Sequence, residues 1–492
     1  MNITTIVYIL GWILRIESAF LLLPALVSAC YREPASMAFL GVSALCLLTG
    51  WLLGRRKPQK LAFYAKEAYA VTALGWIVMS LFGCMPFMLT GEIPHFVDAF
   101  FEMVSGFTTT GASVVANVEL LSHGTNLWRC FSHWIGGMGV LVFLLAVMPM
   151  VSGSNLNLMR AESPGPSVGK LVPRMRYTAR ILYCMYFALT MAEIVCLLVA
   201  GMSVFDAVCT AFGTAGTGGF GVRADSIAGY SPAIQWIVTV FMVLFGVNFN
   251  VYFLLYARHF REALRSEEVR VYLGVILAAT VLITMNCFDG DLTPEHNVRN
   301  AAFQVSSIIT TTGYATVDFD LWPTLSKLIL VLLMFIGACA GSTGGGLKVS
   351  RFVIAAKMLI RHLRGYIHPR EVRAIRFEGH DVGEDTLRSM FVYLFAAMMI
   401  FCVSVLLVSL ENQDLVSTVT AVAATFNNIG PGLGTAGPTS NFAGFTVLSK
   451  LVMIFDMLAG RLEVFPMLVL LYPLSWRRTV RAERKRMARH GR

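Results

Sequence analysis

Long apolar stretches recur from one end of this sequence to the other, and they constrain the fold more than any other feature. A helix needs about 20 apolar residues to cross the hydrocarbon core of a bilayer. Nine stretches reach or approach that length: 4–30, 36–54, 68–90, 131–152, 181–204, 233–257, 270–287, 388–410 and 446–474. A shorter one, 328–339, ends at glycines. Together they predict an all-α membrane protein with about 10 spans.

The basic residues show which ends of these spans face the cytoplasm. Thirty of the 39 Lys and Arg residues lie in the segments 55–60, 160–180, 258–270, 348–388 and 476–492. The alternate connections hold six: Arg32, Arg129, Arg223, Arg299, Lys327 and Lys450. Because cytoplasmic connections are enriched in Lys and Arg, both termini are predicted to be cytoplasmic. The basic C-terminal tail is expected to lie against membrane lipid rather than to bind nucleic acid.

The acidic residues have the opposite bias. Fourteen of the 29 Asp and Glu residues, Glu102 among them, lie in the segments predicted to face outward. An acidic vestibule would concentrate cations at an entrance. A merely solvated loop surface would show the same bias, so both interpretations stay open.

Four polar breaks interrupt the apolar sequence in the same way. They read DAFFEMVSGFTTTG (98–111), DAVCTAFGTAGTGG (206–219), NAAFQVSSIITTTG (300–313) and STVTAVAATFNNIG (417–430). In each, a polar residue stands 13 positions before a glycine. The four polar residues, Asp98, Asp206, Asn300 and Ser417, are predicted helix N-caps. Each break therefore predicts a helix of about 10 residues, too short to cross a membrane.

These short helices would enter from outside and point their C-termini at the membrane centre. That end of a helix carries about half a negative charge. The strand that follows lacks helical hydrogen bonds, which is tolerated at membrane depth only along a polar path. Its carbonyls and Thr hydroxyls can replace the hydration shell of an ion. Four such strands predict one ion selectivity filter, and since they contain no carboxylate, they favour K⁺ over Ca²⁺ or Mg²⁺.

The candidate K⁺ ligands are four consecutive residues in each break. They are Thr109, Thr110, Gly111 and Ala112; Thr217, Gly218, Gly219 and Phe220; Thr311, Thr312, Gly313 and Tyr314; and Asn428, Ile429, Gly430 and Pro431. The glycine is present in all four repeats, whereas the neighbouring positions vary. The wall of the filter is therefore predicted to be only pseudo-fourfold symmetric.

A second glycine-rich segment follows the shortened apolar stretch and is a candidate gate. Its residues are Gly341, Ser342, Thr343, Gly344, Gly345, Gly346 and Lys348. Consecutive glycines favour a mobile loop inside the membrane, although a structural kink is the alternative. Arg461 is a charge within the last apolar stretch, and such charges are usually functional. It would repel an ion, anchor the loop, or form a structural ion pair. His133, without a metal-ligand partner at suitable spacing, is expected to pack at the outer end of its helix.

The motifs GFTTTGAS, HWIGGMG, TAGTGGFG, TTTGY, GSTGGGLKVSR, NNIGPGLG and GRLEVFP together resemble those of the Trk/Ktr/HKT superfamily of potassium transporters. They are most similar to the TrkH/TrkG/TrkI-type bacterial integral membrane subunits. The resemblance implies a transmembrane hairpin at 1–58 and M1–pore helix–M2 repeats at 59–160, 161–265, 266–375 and 376–492. The third repeat would have a broken second helix and the gate loop, and the fourth a basic cytoplasmic tail. Glycine in all four columns matches potassium-selective members, while some sodium-selective relatives carry Ser in the first.

The resemblance also implies a homodimer and a cytosolic TrkA-type nucleotide-binding regulatory subunit. Basic segments at 160–180 and 351–386 are candidate docking surfaces. The expected function is K⁺ uptake across the bacterial inner membrane, with K⁺ as the transported ion and no covalent cofactor. A sodium-permeable or nonselective transporter of the same architecture is the alternative. An enzyme is not expected, because no nucleophile–base set, paired Asp or His/Glu cluster occurs in the apolar stretches.

Overall fold

The computed structural model describes residues 3–57, 65–139, 175–288, 290, 293–368 and 374–476. Within these ranges the chain is mostly helical. Two long helices, α1 (Ile3–Cys30) and α2 (Ala35–Leu53), form an N-terminal hairpin. Buried polar contacts join the two, since Ser43 Oγ donates to the carbonyl of Ser18 at 2.8 Å and Arg15 Nε to that of Gly50 at 3.1 Å.

The first two repeats follow this hairpin. Repeat 1 consists of α3 (Ala65–Gly83), α4 (Met85–Leu89), α5 (Phe96–Phe107) and α6 (His123–Met138). Repeat 2 consists of α7 (Met175–Val199), α8 (Val204–Gly216), α9 (Pro232–Phe245), α10 (Phe249–Tyr256) and α11 (Phe260–Arg265). The axes of α9 and α10 differ by 89°, so the second long helix of repeat 2 is broken. The continuation of α6 predicted over 140–152 lies outside the described residues.

A small β-hairpin lies between the third and fourth repeats. Repeat 3 has α12 (Glu267–Asn286), α13 (Pro294–Ile309), α14 (Thr324–Ile336) and α15 (Val349–Ile367). The strands β1 (Arg376–Phe377) and β2 (His380–Asp381) pair antiparallel. Repeat 4 has α16 (Glu384–Val408), α17 (Leu415–Phe426), α18 (Val447–Arg461), α19 (Phe465–Leu471) and α20 (Pro473–Trp476).

The distribution of apolar side chains is that of a membrane protein. Six helical segments among the described residues are long and apolar enough to cross a bilayer, and the bent pair α9–α10 makes a seventh. Large apolar residues are exposed on the outer helices, for example Leu47 (53%), Leu277 (67%) and Phe395 (70%). Polar residues such as Thr110 and Thr312 are fully buried at the centre. The long helices thus surround an interior with buried polar residues, which in lipid is tolerated only away from the hydrocarbon.

The four short helices α5, α8, α13 and α17 have 12, 13, 16 and 12 residues and form this interior. Their predicted N-caps are wrong, because Asp98, Asp206, Asn300 and Ser417 all lie inside the helices. The actual N-cap positions are His95, Ser203, Thr293 and Asp414. Three of these accept a hydrogen bond from a backbone N–H in the first turn, whereas His95 does not. In α8, α13 and α17 a polar residue three or more positions earlier than predicted therefore caps the helix.

Candidate functional site

The strands that follow the four short helices close into a single ring. At each of the shared glycines, a Cβ would lie very close to the carbonyl oxygen of the residue before the glycine of the next repeat. The pairs and their distances are Gly111 to Gly218 O (2.0 Å), Gly219 to Thr312 O (2.1 Å), Gly313 to Ile429 O (2.0 Å) and Gly430 to Thr110 O (2.8 Å). The contacts run from each repeat to the next and from the fourth back to the first. Only a residue without a side chain permits this approach between strands.

Each short helix ends in the same way, which explains why the chain leaves the helix at these points. The N–H one residue before the shared glycine bonds to the carbonyl five residues earlier: Thr110 to Ser105, Gly218 to Gly213, Thr312 to Ser307 and Ile429 to Ala424, at 2.8–2.9 Å. The preceding N–H bonds three residues back, from Thr109, Thr217, Thr311 and Asn428. This is the Schellman motif, which normally places Gly in the left-handed position.

Here that left-handed position is held by three threonines and an asparagine. Their φ angles are 55° for Thr109, 54° for Thr217, 60° for Thr311 and 56° for Asn428. A β-branched residue in this region costs about 1–2 kcal/mol. Such strain is concentrated at functional sites. The shared glycines also have positive φ, of 76–101°. Left-handed residues therefore occur at alternate positions in each of the four strands.

The residues after the glycines contribute backbone to the ring, but two of the side chains point behind it. Tyr314 donates its hydroxyl hydrogen to the carbonyls of Thr210 (3.1 Å) and Phe220 (3.2 Å). The ring of Phe220 packs against that of His133, with centroids 4.2 Å apart. Tyr314 and Phe220 therefore brace neighbouring strands from outside the ring.

A buried ion pair supports the strand of repeat 1. Arg129 lies 2.8 Å from Glu102, and both side chains are almost completely buried. Glu102 also accepts hydrogen bonds from Ser113 Oγ (2.9 Å) and from the N–H of Val114 (2.9 Å). Arg129 further stacks over the ring of Phe220 at 4.2 Å. Glu102 and Arg129, which were expected in outward-facing connections, instead fix the end of the strand of repeat 1.

His133 has a similar supporting position. Its Nδ1 lies 2.7 Å from the carbonyl oxygen of Gly106, near the C-terminus of α5. Its ring lies directly against the strand of repeat 2, because a Cβ on Gly218 would come within 2.3 Å of it. The expectation that His133 packs at the outer end of its helix is wrong, since it lies at the depth of the ring.

The glycine-rich segment 337–348 joins α14 to α15 and lies against one end of the ring. The N–H of Gly345 donates to Thr311 Oγ1 at 2.6 Å, and that of Gly346 to the carbonyl of Asn427 at 3.0 Å. On the other side, the carbonyl of Gly341 accepts from the N–H of Phe249 at 3.0 Å. The segment therefore contacts repeats 2, 3 and 4, next to the left-handed residues that precede the shared glycines.

Two cations hold this segment. Arg461 Nη1 donates to the carbonyl of Thr343 at 2.8 Å, while its Nη2 donates to the carbonyls of Gly136 (2.5 Å) and Gly137 (3.0 Å). Lys348 Nζ donates to the carbonyl of Gly344. Arg461 thereby links the segment to repeats 1 and 4. Its neighbour in sequence, Glu463, pairs instead with Arg351 at 2.6 Å.

Known proteins are similar to this chain both in sequence and in architecture. The family described as cation transport protein TrkH matches residues 35–288 and 279–475. The chain belongs to the TrkH family. It is 36% identical over 491 residues to the Trk system potassium uptake protein TrkH of Salmonella typhimurium, covering 97% of this chain and 100% of that protein. It is 31% identical to TrkI of Halomonas elongata, covering 96% of each chain.

A solved structure agrees with the fold of this TrkH-family chain. The crystal structure of the potassium transporter TrkH from Vibrio parahaemolyticus superposes with a TM-score of 0.87 at 32% identity. The match covers 97% of this chain and 100% of the other. Membership of the TrkH family confirms the resemblance drawn from the motifs, and it confirms a helical membrane transport protein rather than an enzyme.

The buried ion pair gives a prediction about the stability of this TrkH-family chain. We expect Arg129→Met to destabilise the fold by about 3–5 kcal/mol, because it leaves the Glu102 carboxylate buried without its partner. Thermal unfolding of the detergent-solubilised protein measures the effect. The double variant Glu102→Gln, Arg129→Met should regain part of the lost stability. Arg223→Met, at an exposed arginine, is the matched control and should unfold near the wild-type temperature. Equal losses in both single arginine variants would contradict the assignment.

Proposed function

We propose that this chain carries K⁺ into the cell across the bacterial inner membrane, through a filter built from the four strands. The closed ring of glycine–carbonyl contacts is the observation that carries the proposal. Four helix C-termini meet at this ring, and their dipoles favour a cation there. The ligands on offer are carbonyl and hydroxyl oxygens, which suit a dehydrated monovalent ion. The curated relatives are named as potassium uptake proteins.

The sodium-permeable alternative has one observation in its favour. The fourth junction of the ring, between Gly430 and Thr110 O, is looser than the other three by about 0.7–0.8 Å. Repeat 4 also has Asn428 where the other repeats have Thr. A filter in which one repeat differs from the other three would contact K⁺ less uniformly than four identical repeats would. Competition between ions therefore has to be part of the test.

The second part of the proposal concerns the segment 337–348, which we take as the gate, with Gly341–Gly346, Lys348 and Arg461 as its working residues. Its contacts with Thr311 and Asn427 would place it across the path of an ion. A TrkA-type nucleotide-binding subunit in the cytosol would open it, and two copies of the chain would form the membrane unit. The names of the relatives refer to a Trk system, which supports partners of this kind. Of the candidate docking surfaces, 160–174 lies outside the described residues, whereas the described part of 351–386 includes the exposed Arg364 and Arg376.

Growth and ion uptake in a bacterium without its own potassium uptake systems test the proposal. The chain is expressed alone and with a TrkA-type subunit, and uptake of radioactive Rb⁺ is measured with increasing K⁺ or Na⁺ as competitor. K⁺ should restore growth and compete with Rb⁺ far more strongly than Na⁺ does. Equal competition by the two ions would support the nonselective alternative. A well-inserted chain that restores neither growth nor Rb⁺ uptake with any TrkA-type partner would contradict the proposal.

A further inference from the structure

The hairpin between repeats 3 and 4 reaches the first turn of α12. Its strands β1 and β2 are joined by a two-residue turn, Glu378–Gly379, in which both residues have positive φ (50° and 77°). Such a turn matches the twist of the two strands and fixes the direction of its side chains. The apolar residues of the hairpin, Phe377 and Val382, pack against α15 and α16. The hairpin is therefore anchored on the predicted cytosolic side.

Glu378 at the tip of the turn binds the start of α12. Its Oε1 accepts a hydrogen bond from Ser266 Oγ at 2.8 Å and from the N–H of Glu268 at 2.9 Å. Ser266 is the N-cap of α12. A carboxylate at this position satisfies a free N–H of the helix and interacts favourably with the helix dipole. The hairpin thus fixes the position of Glu268.

Glu268 in turn binds the gate segment through its side chain. Its Oε1 accepts from the N–H of Ala340 at 2.7 Å and from the N–H of Ser350 at 3.1 Å. These two amides stand near the middle of the segment 337–348 and just after its end. The residue Glu268 is only 2% exposed, so water cannot easily replace these bonds. The backbone N–H of Glu268 therefore binds the hairpin, while its carboxylate binds the segment 337–348.

We propose that Glu378 and Glu268 form a latch that keeps the segment 337–348 against the filter and that is operated from the cytosolic face. This rests on the proposed function of the segment as a gate. Displacing the hairpin withdraws Glu378 from α12, and the first turn of α12 then loosens. The carboxylate of Glu268 loses its fixed position, and the amides of Ala340 and Ser350 lose their acceptor. A cytosolic protein that moves the hairpin would thereby open the pore without contacting the segment.

Hydrogen exchange of the full-length protein in detergent, followed by mass spectrometry, tests the latch directly. Glu268→Met removes the acceptor and should raise exchange at Ala340 and Ser350. Glu378→Met should raise exchange at the same two amides, although Glu378 does not contact them. Loss of one charge-assisted bond should change the exchange rate by roughly tenfold. Two controls alter nearby carboxylates that do not bind the segment: Glu267→Met, whose partner is Lys357, and Asp381→Asn, whose partner is Arg376. Neither should change exchange at the two amides.

Rb⁺ uptake into vesicles containing each variant separates the latch from the function of the segment. With the latch released, basal uptake without a regulatory partner should rise in both Met variants and in neither control. Exchange that rises in Glu378→Met only at the start of α12, with the segment still protected, would overturn the latch. If exchange rises at Ala340 and Ser350 while basal uptake stays unchanged, the latch stands as a structural link, and the proposed gate is wrong. Because Glu378 lies on the partly exposed hairpin, the variant Glu378→Met should fold. It therefore keeps the test decisive if Glu268→Met fails to fold.

Discussion

Gly313→Ser is expected to reduce Rb⁺ uptake to background. A Cβ at this position would lie 2.0 Å from the carbonyl oxygen of Ile429, so one strand of the ring has to move away from its neighbour. Serine would also have to adopt a φ near 82°. A displaced strand no longer aims its carbonyls at a common ion. Uptake is measured in the potassium-uptake-deficient bacterium, with the amount of inserted protein determined in parallel.

Gly91→Ser is a matched control for this substitution. Gly91 has a similar φ of 75°, but no atom lies within 4 Å of a Cβ placed there. Both variants therefore carry the same kind of backbone strain, and only one of them has the clash. Gly91→Ser should retain nearly normal uptake. Normal uptake in Gly313→Ser, or an equal loss in both variants, would show that the ring is not the ion path. A Gly313→Ser protein that takes up Na⁺ would place the filter correctly while changing its selectivity.

Arg461→Gln should raise basal Rb⁺ uptake in the absence of a cytosolic partner. The guanidinium donates to three carbonyl groups and joins the gate segment at Thr343 to Gly136 and Gly137. Glutamine is too short and has too few donors to keep these contacts. Hydrogen bonds from charged groups contribute about 1.5–3 kcal/mol each, so the closed position should lose most of its preference.

The variant Arg461→Lys separates the two ways in which this residue could act. Lysine keeps the positive charge but lacks the planar fork that reaches carbonyls in two directions. If Arg461 anchors the segment, Arg461→Lys should be nearly as leaky as Arg461→Gln. If the residue only repels an ion, Arg461→Lys should stay closed. Vesicle flux measurements on the two variants decide between these outcomes, and closed behaviour of both would contradict a role in gating.

Sequence reasoning found the four repeated strands because their signal is periodic. The four glycines stand at equivalent positions after four apolar helices, so counting along the chain is enough to find them. That the strands line a polar path follows from the free-energy cost of unpaired backbone groups in lipid. The broken helix before Gly337 was visible for the same reason, since a span cannot be half as long as the bilayer is thick. The repeated glycines and the broken helix can both be recognised from residues that are close together in the sequence.

The supports of the site could not be found in this way, because they depend on contacts between distant residues. Glu102 and Arg129 looked like solvated charges until the packing of α5 against α6 brought them together. His133 looked like a residue of a helix end because it stands near the start of the apolar stretch 131–152, but its helix begins at His123, and the fold puts it behind the strand of repeat 2. Glu268 and Glu378 are 110 residues apart. The partner of such a carboxylate can be identified only from the folded structure.

The ring of four strands is made by one polypeptide, so its quarters are free to diverge. In an assembly of four identical chains, every substitution would appear four times around the axis. Here a change at Asn428 or Pro431 alters one wall and leaves three as they were. That freedom allows the third quarter to carry the glycine-rich segment 337–348 and the first to carry the buried pair of Glu102 and Arg129. Single substitutions can therefore change one quarter of the ring at a time.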